Sequence, residues 1–187
     1  EQVVNDHKES LFILSAWAGK FFQTQMKETT EGNNIGLSYF KERGFRDDVI
    51  NKFELGYSCE AWDGLTRQAL LEGYQSGFLE ETGLTIRKDG DRLYDRFRGR
   101  VIFPIHSFTG RVIGFGGRTL KTDKTVPKYV NSPESDIYHK SNVLYGFFFA
   151  KKAIRDADNC YLVEGYADVL SVHQAGIENV VASSGTS

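Results

Sequence analysis

Two short apolar runs, CYLVEG (160–165) and NVVASSG (179–185), enclose the amphipathic stretch YADVLSVHQAG (166–176). Strand, helix, strand in that order admits few folds. The two strands must lie parallel, joined by a right-handed crossover. CYLVEG has no polar alternation, the pattern of a parallel strand buried on both faces. The fold class predicted is α/β. Open parallel sheets place ligands at the carboxyl ends of their strands, and Glu164 stands at such an end, followed by Gly165. A carboxylate there can hold Mg2+ or act as a general base, or it can simply pair with an arginine or face solvent in a loop. Asp168 either supports that site or occupies the helix's first turn, the more ordinary role.

Upstream, charge is distributed unevenly. From Arg96 to Lys140 there are nine Lys/Arg and three acids, a net +6 in a chain whose total is −2, so the remainder sums to −8. A cationic block in a mildly acidic chain points to a surface for phosphates. Arg96, Arg98 and Arg100 alternate with Phe97 at strand spacing, which puts them on one face. Guanidinium forks suit a nucleoside triphosphate or a strand backbone; a solvated face with cross-strand ion pairs would need more acids nearby. The run Gly114-Phe115-Gly116-Gly117-Arg118 lacks the spacing and the Lys-Ser/Thr of a phosphate loop, and no helix follows it. Its glycines suit close approach of backbone to backbone or to a bound nucleic acid, with room for Arg118. Lys128, Tyr129 and Asn131 offer a cation, a ring and an amide in one loop, a mixture suited to single-stranded nucleic acid. His139 and Lys140 close the block.

The front of the chain is predicted to be a helical scaffold. Leu11, Leu14, Ala18, Phe21 and Phe22 recur at helical spacing from about Asp6 to Glu31, with Gly32-Asn33 as the stop. A short helix ends at Gly44, and Asp47-Asp48 start another. Asp63 and Ser76 are placed as caps of helices running through Glu72 and Glu81. LTIRK and RLYDRF flank an Asp-Gly turn and read as a hairpin; RVIFPIHS and RVIGFGGRTL read as a second. In the latter, Val101, Phe103 and Ile105 face away from Ile102 and Pro104, and Pro104 implies an edge or a bulge. A further helix is expected from Tyr145 to about Asp156.

With 40% apolar and 13% aromatic residues the chain is globular, one domain or one domain plus part of another. Cys59 and Cys160 form no CxxC pair and the four His lack ligand spacing, so neither a disulfide framework nor a zinc site is expected. There is no signal peptide and no apolar run long enough to span a bilayer. A chain that starts at Glu1 with no Met reads as an excised piece.

The blocks YDRFRGRVIFPI, GRVIGFGGRTL, PKYVNSPESDIYHKSNVLYG and LVEGYADVLSVHQAGIENVVASSGTS, in that order, resemble the signature blocks of bacterial replicative DNA primases. YFKERGF and VINKFELGY extend the likeness toward the front. The resemblance implies part of a catalytic RNA polymerase core that makes short RNA primers on single-stranded DNA. It implies an α+β basic subdomain over residues 1–156, then the first βαβ unit of a Toprim-like parallel sheet over 157–187. Carried over by position, Glu164 matches the Toprim glutamate of acid/base or metal chemistry. Arg96, Arg98, Arg118, Lys128 and Lys140 match residues used for template and nucleotide, and Tyr129 and Asn131 fall in the template-contacting block. Family chemistry is nucleotidyl transfer with Mg2+ or Mn2+. Expected partners are single-stranded DNA and ribonucleoside triphosphates. The family's zinc-binding domain and the domain that meets the replicative helicase lie elsewhere, and the setting is cytoplasmic. Ala167 and Ser184 stand where the family often has Met and Leu. The family's Asp-x-Asp acids are not in the sequence, so the chain alone is expected to bind single-stranded DNA weakly and make no primer. The rival readings are a non-catalytic single-strand binding module and another Toprim enzyme, a topoisomerase or nuclease.

Overall fold

The structure is a computed structural model that describes residues 2–183; Ser184 lies outside the described residues. Helix α1 (Gln2–Glu28) buries Leu11, Leu14, Ala18, Phe22 and Met26 along one stripe. Gly32-Asn33 does not stop the helical run. The chain continues as a π-helical stretch, Gly32–Leu37, into α2 (Ser38–Glu42). The break falls earlier, at Thr29, whose hydroxyl donates to the Gln25 carbonyl at 2.6 Å and accepts the Gly32 N–H at 2.9 Å. Gly32 is there for space, because a Cβ would collide with the Gln25 backbone.

Helix α3 (Asp47–Lys52) starts with its two acids, as its dipole favours. After β1 (Gly56–Ser58) come α4 (Gly64–Leu71) and α5 (Ser76–Glu81). Neither predicted cap acts as one. Asp63 makes no capping bond, and Ser76 lies inside α5, behind Gln75. The cap of α4 comes from thirty residues away: Asp95 accepts the Leu65 N–H at 2.8 Å and the Thr66 N–H at 3.0 Å.

Both hairpins form. β2 (Thr85–Lys88) pairs with β3 (Arg92–Asp95) around Gly90, and β4 (Arg100–His106) with β5 (Val112–Thr119). β6 (Tyr129–Asn131) completes an antiparallel sheet of order β1-β4-β5-β6. β4 is an inner strand, but β1 reaches only as far as Ile102, so Pro104 deprives no partner of a hydrogen bond there. The register shifts just beyond it, between Ile105 and His106. Every residue of β4 is buried. Val101, Phe103 and Ile105 enter one core cluster with Phe40, Phe53, Tyr166 and Val180; Ile102 enters another with Leu14, Phe22, Leu79 and Phe115. The sheet is thus covered on both faces, by α1 on one side and by the C-terminal elements on the other.

Those elements are β7 (Leu144–Tyr145), α6 (Phe147–Ala157), β8 (Tyr161–Val163), α7 (Tyr166–Gln174) and β9 (Val180–Ser183). The predicted βαβ unit is present, with β8 and β9 parallel. Two expectations need correction. Leu144-Tyr145 is a strand paired antiparallel to β9, so the helix begins at Phe147. And β8 is not buried on both faces: β9 is the middle strand, while β8 is an edge whose Tyr161 and Leu162 are 55% and 68% exposed. An apolar run records the burial that a strand needs, not which described neighbour supplies it.

A candidate nucleic-acid and metal cleft

Glu164 sits in the turn between β8 and α7 and is exposed. The turn is fixed by Asp168, in the first turn of α7, whose Oδ2 accepts the Gly165 N–H at 3.1 Å. Glu164 lines an open cleft of about 800 Å3 together with Asp168, and the same cleft is lined by Lys128, Tyr129 and Asn131 of β6 and its approach. The sequence separates these groups by more than thirty residues. Tyr166 ties them together. Its hydroxyl donates to Asn131 Oδ1 at 2.7 Å, and its ring stacks on Phe103 (5.2 Å, 17°) and meets the edge of Tyr145 at 4.6 Å. Burial pushes its phenol well above the ordinary range, so it stays a donor. Gly116 makes room for it: a Cβ there would lie 2.5 Å from Tyr166 Cε2. The glycines of the GFGG run therefore serve close packing, as expected, but against a side chain.

The predicted cations divide. Arg118 stands directly across from Tyr129 in the β5–β6 pair, with its guanidinium carbon 5.2 Å from the Tyr39 ring centre. Arg43 approaches the same ring at 4.8 Å. A basic and aromatic wall thus runs from Arg43 and Tyr39 through Arg118 and Tyr129 to Lys128. Arg98 lies elsewhere, 4.4 Å over the half-exposed ring of Trp62. Arg96, Arg98 and Arg100 do not share a strand face, because residues 96–99 form a turn with Gly99 at φ 64°. Arg96 Nε donates to the Gly83 carbonyl at 2.6 Å, and burial holds the group below the usual guanidinium range. Arg100 is buried and donates to the carbonyls of Gly117, Pro127 and Lys128 at 3.3, 2.9 and 3.2 Å. It holds the loop that delivers Lys128. Two further cations are neutralised by distant acids: Arg111 by a two-pronged contact to Glu9, and Lys121 by Glu60. Lys140 is half-buried outside the cleft lining, its backbone N–H bonded to Glu134.

The donor chemistry suits a hard divalent ion in part. Mg2+ takes one or two carboxylates and otherwise water and substrate phosphates. Glu164 and Asp168 supply carboxylates in one cleft, one of Asp168's oxygens being engaged by Gly165. Among the described residues no third acid, His or Cys converges there to close a complete ligand set. Sequence reasoning missed Tyr166, Tyr39, Arg43 and Trp62. All four are aromatic or basic residues outside the cationic block, and nothing in their own neighbourhoods marks them.

Comparisons with known proteins identify the family and the fold. Residues 21–151 match the family model for the DNA primase catalytic core, N-terminal domain, and residues 158–187 match that for the Toprim domain. The chain is 42% identical over 184 residues to a DNA primase of Halalkalibacterium halodurans, covering 98% of this chain and 30% of that protein. It is similar to the RNA polymerase domain of Mycobacterium tuberculosis primase DnaG in complex with a double-stranded DNA carrying a 6-nucleotide overhang (36% identity, TM-score 0.88, covering 96% of this chain and 55% of that one). It is equally similar to a DnaG primase catalytic domain bound to single-stranded DNA (37% identity, TM-score 0.88, 98% and 58% covered). The chain spans under a third of the length of the curated relatives it matches.

Proposed function

We propose, from the premise that the chain belongs to the DNA primase catalytic-core family, that it forms one wall of a primer-synthesising centre. The whole protein would make short RNA primers on single-stranded DNA from ribonucleoside triphosphates in the cytoplasm. A separate zinc-binding domain and a separate contact with the replicative helicase would complete it. One observation carries the reading: Lys128, Tyr129 and Asn131 line the same open cleft as Glu164.

In this reading the template backbone runs along the basic wall. Lys128 and Arg118 meet phosphates, the exposed ring of Tyr129 stacks a base, and the Asn131 amide, oriented by Tyr166, contacts the strand. Arg98 over Trp62 offers a second, outlying platform of the same kind. Arg96 and Lys140 act at most at the periphery, Arg96 by bracing the turn that precedes β4. We place the boundary between the basic part and the Toprim part near residue 157, although β7 crosses it to pair with β9. Glu164, with Asp168 beside it, would hold Mg2+ or Mn2+ through carboxylate oxygen. When bound, that ion supplies positive charge against the phosphates of an incoming nucleotide. The protein's own part is to present Glu164, on a turn fixed by Asp168, in the same cleft as the template wall. Two carboxylates without converging partners hold Mg2+ poorly, so the chain alone should bind single-stranded DNA and make no primer.

Fluorescence anisotropy with a labelled single-stranded oligomer, across a salt series, tests this. Lys128→Ala and Arg118→Ala should each weaken binding and flatten the log–log salt slope by about 0.7. An unchanged slope in both variants removes the template wall. Primer synthesis by the isolated chain contradicts the incomplete metal site.

A further inference from the structure

Far from the cleft, three side chains from three separate elements converge. His7 lies in the second turn of α1, Glu81 is the last residue of α5, and Asp136 lies in the tight turn between Ser135 and Tyr138. His7 Nε2 is 2.9 Å from Glu81 Oε1 and 3.6 Å from Asp136 Oδ2, and the three ligand atoms lie within 4.8 Å of one another. Metal bonds of about 2.0–2.2 Å at tetrahedral angles separate neighbouring ligand atoms by about 3.3 Å. The two distances from His7 bracket that value. The imidazole is held against Phe78, ring centres 5.5 Å apart, one helical turn before Glu81.

The charge balance points the same way. Two carboxylates share one imidazole nitrogen, which can satisfy only one of them by a hydrogen bond. Among the described residues neither Glu81 nor Asp136 has a Lys or Arg within ion-pair distance. Some other acids of this chain do: Glu80 has Arg87, Glu9 has Arg111 and Glu60 has Lys121, while Glu54 and Glu134 each meet a single histidine that no second carboxylate shares. One imidazole nitrogen and two carboxylate oxygens form a borderline donor set that favours zinc-class ions over Mg2+.

We propose that His7, Glu81 and Asp136 form a three-ligand site for a zinc-class divalent ion, with water in the fourth position. The ion would clip the segment after β6 to the helical layer. That segment already hangs on Ser132, whose hydroxyl accepts the Phe115 N–H, and on Glu134, which accepts the Lys140 N–H. A clip at Asp136 anchors the far end of the stretch that begins with the cleft residue Asn131. The proposal is independent of what the cleft binds.

The test uses the chain carrying Glu164→Gln, so that the cleft carboxylate does not contribute. Excess Zn2+ should raise Tm by about 5–10 °C when its concentration is a hundredfold above Kd. Co2+ should give visible absorption bands of tetrahedral type, and Mg2+ should do neither. His7→Gln and, separately, Asp136→Asn should abolish both signals while leaving the circular dichroism spectrum and single-strand binding intact. Asp136 is exposed on a turn, so its variant remains informative even if the helix variant is unstable. Absence of both signals in the parent overturns the proposal. So does a zinc shift and cobalt spectrum that persist in either variant.

Discussion

Gly116→Ala isolates the contact that joins the two halves of the cleft. The new methyl carbon would lie 2.5 Å from Tyr166 Cε2, 2.7 Å from Cζ and 2.8 Å from the hydroxyl oxygen, where ordinary contacts begin near 3.4 Å. The ring has little room to retreat, because Phe103 stacks on one side, Tyr145 abuts it and Asn131 holds its hydroxyl. Overpacking of this kind costs about 1–3 kcal/mol. Removing a glycine from the unfolded chain returns about 0.4–1 kcal/mol, since Gly116 has no left-handed φ to lose. The net loss is about 1–2 kcal/mol, which at about 2–4 °C per kcal/mol is a fall in Tm of about 2–8 °C. A double-mutant cycle with Tyr166→Ala sharpens the claim. Tyr166→Ala alone should cost about 3–5 kcal/mol. In that background Gly116→Ala should cost nothing or stabilise by up to about 1 kcal/mol, because the obstructing ring is gone. Thermal or urea unfolding reads all four corners. If Gly116→Ala leaves Tm unchanged in the parent, or costs the same with and without the ring, the inference that glycine is there to seat Tyr166 is wrong.

Asp95→Ala should destabilise by about 1–3 kcal/mol in urea unfolding, while Asp63→Ala at the sequence-predicted cap should change stability by less than about 0.5 kcal/mol; equal effects would refute the remote cap. His173 is buried, its basicity lowered first by burial and then by Lys52, against weaker opposing pulls from Glu178 and Asp48. Lys52 Nζ lies 3.0 Å from His173 Nε2 and, as an ammonium, can only donate to it. A folded pKa below the unfolded value means stability present above about pH 6.5 and lost as pH falls through the lower folded value. Tm should therefore drop more steeply between neutral and mildly acidic pH in the parent than in His173→Gln, and parallel profiles would refute the assignment.

The chain's local grammar was legible where neighbours in sequence are neighbours in space. The βαβ unit, both hairpins, the alternation of Val101, Phe103 and Ile105 against Ile102, and the acidic start at Asp47 all follow from periodicity and turn chemistry. So does the placing of Glu164 at a strand's carboxyl end. The family, too, was readable from ordered motifs. Some failures were local, such as the turn at Gly99 that breaks the arginine alternation, but most arose because partners are chosen in three dimensions. Asp95 displaces Asp63 as a cap, Glu9 and Glu60 neutralise cations of the basic block, and Arg100 turns inward to carry a loop. Each involves residues well outside the local stretch, from 17 positions apart for Arg100 and Gly117 to 102 for Glu9 and Arg111. Composition correctly located a surplus of positive charge but could not say which cations the acidic remainder would claim. Only the packing of Tyr166 into the space left by Gly116 brings Lys128, Tyr129 and Asn131 into one cleft with Glu164, because a cleft exists only between elements, and no single stretch of chain contains one.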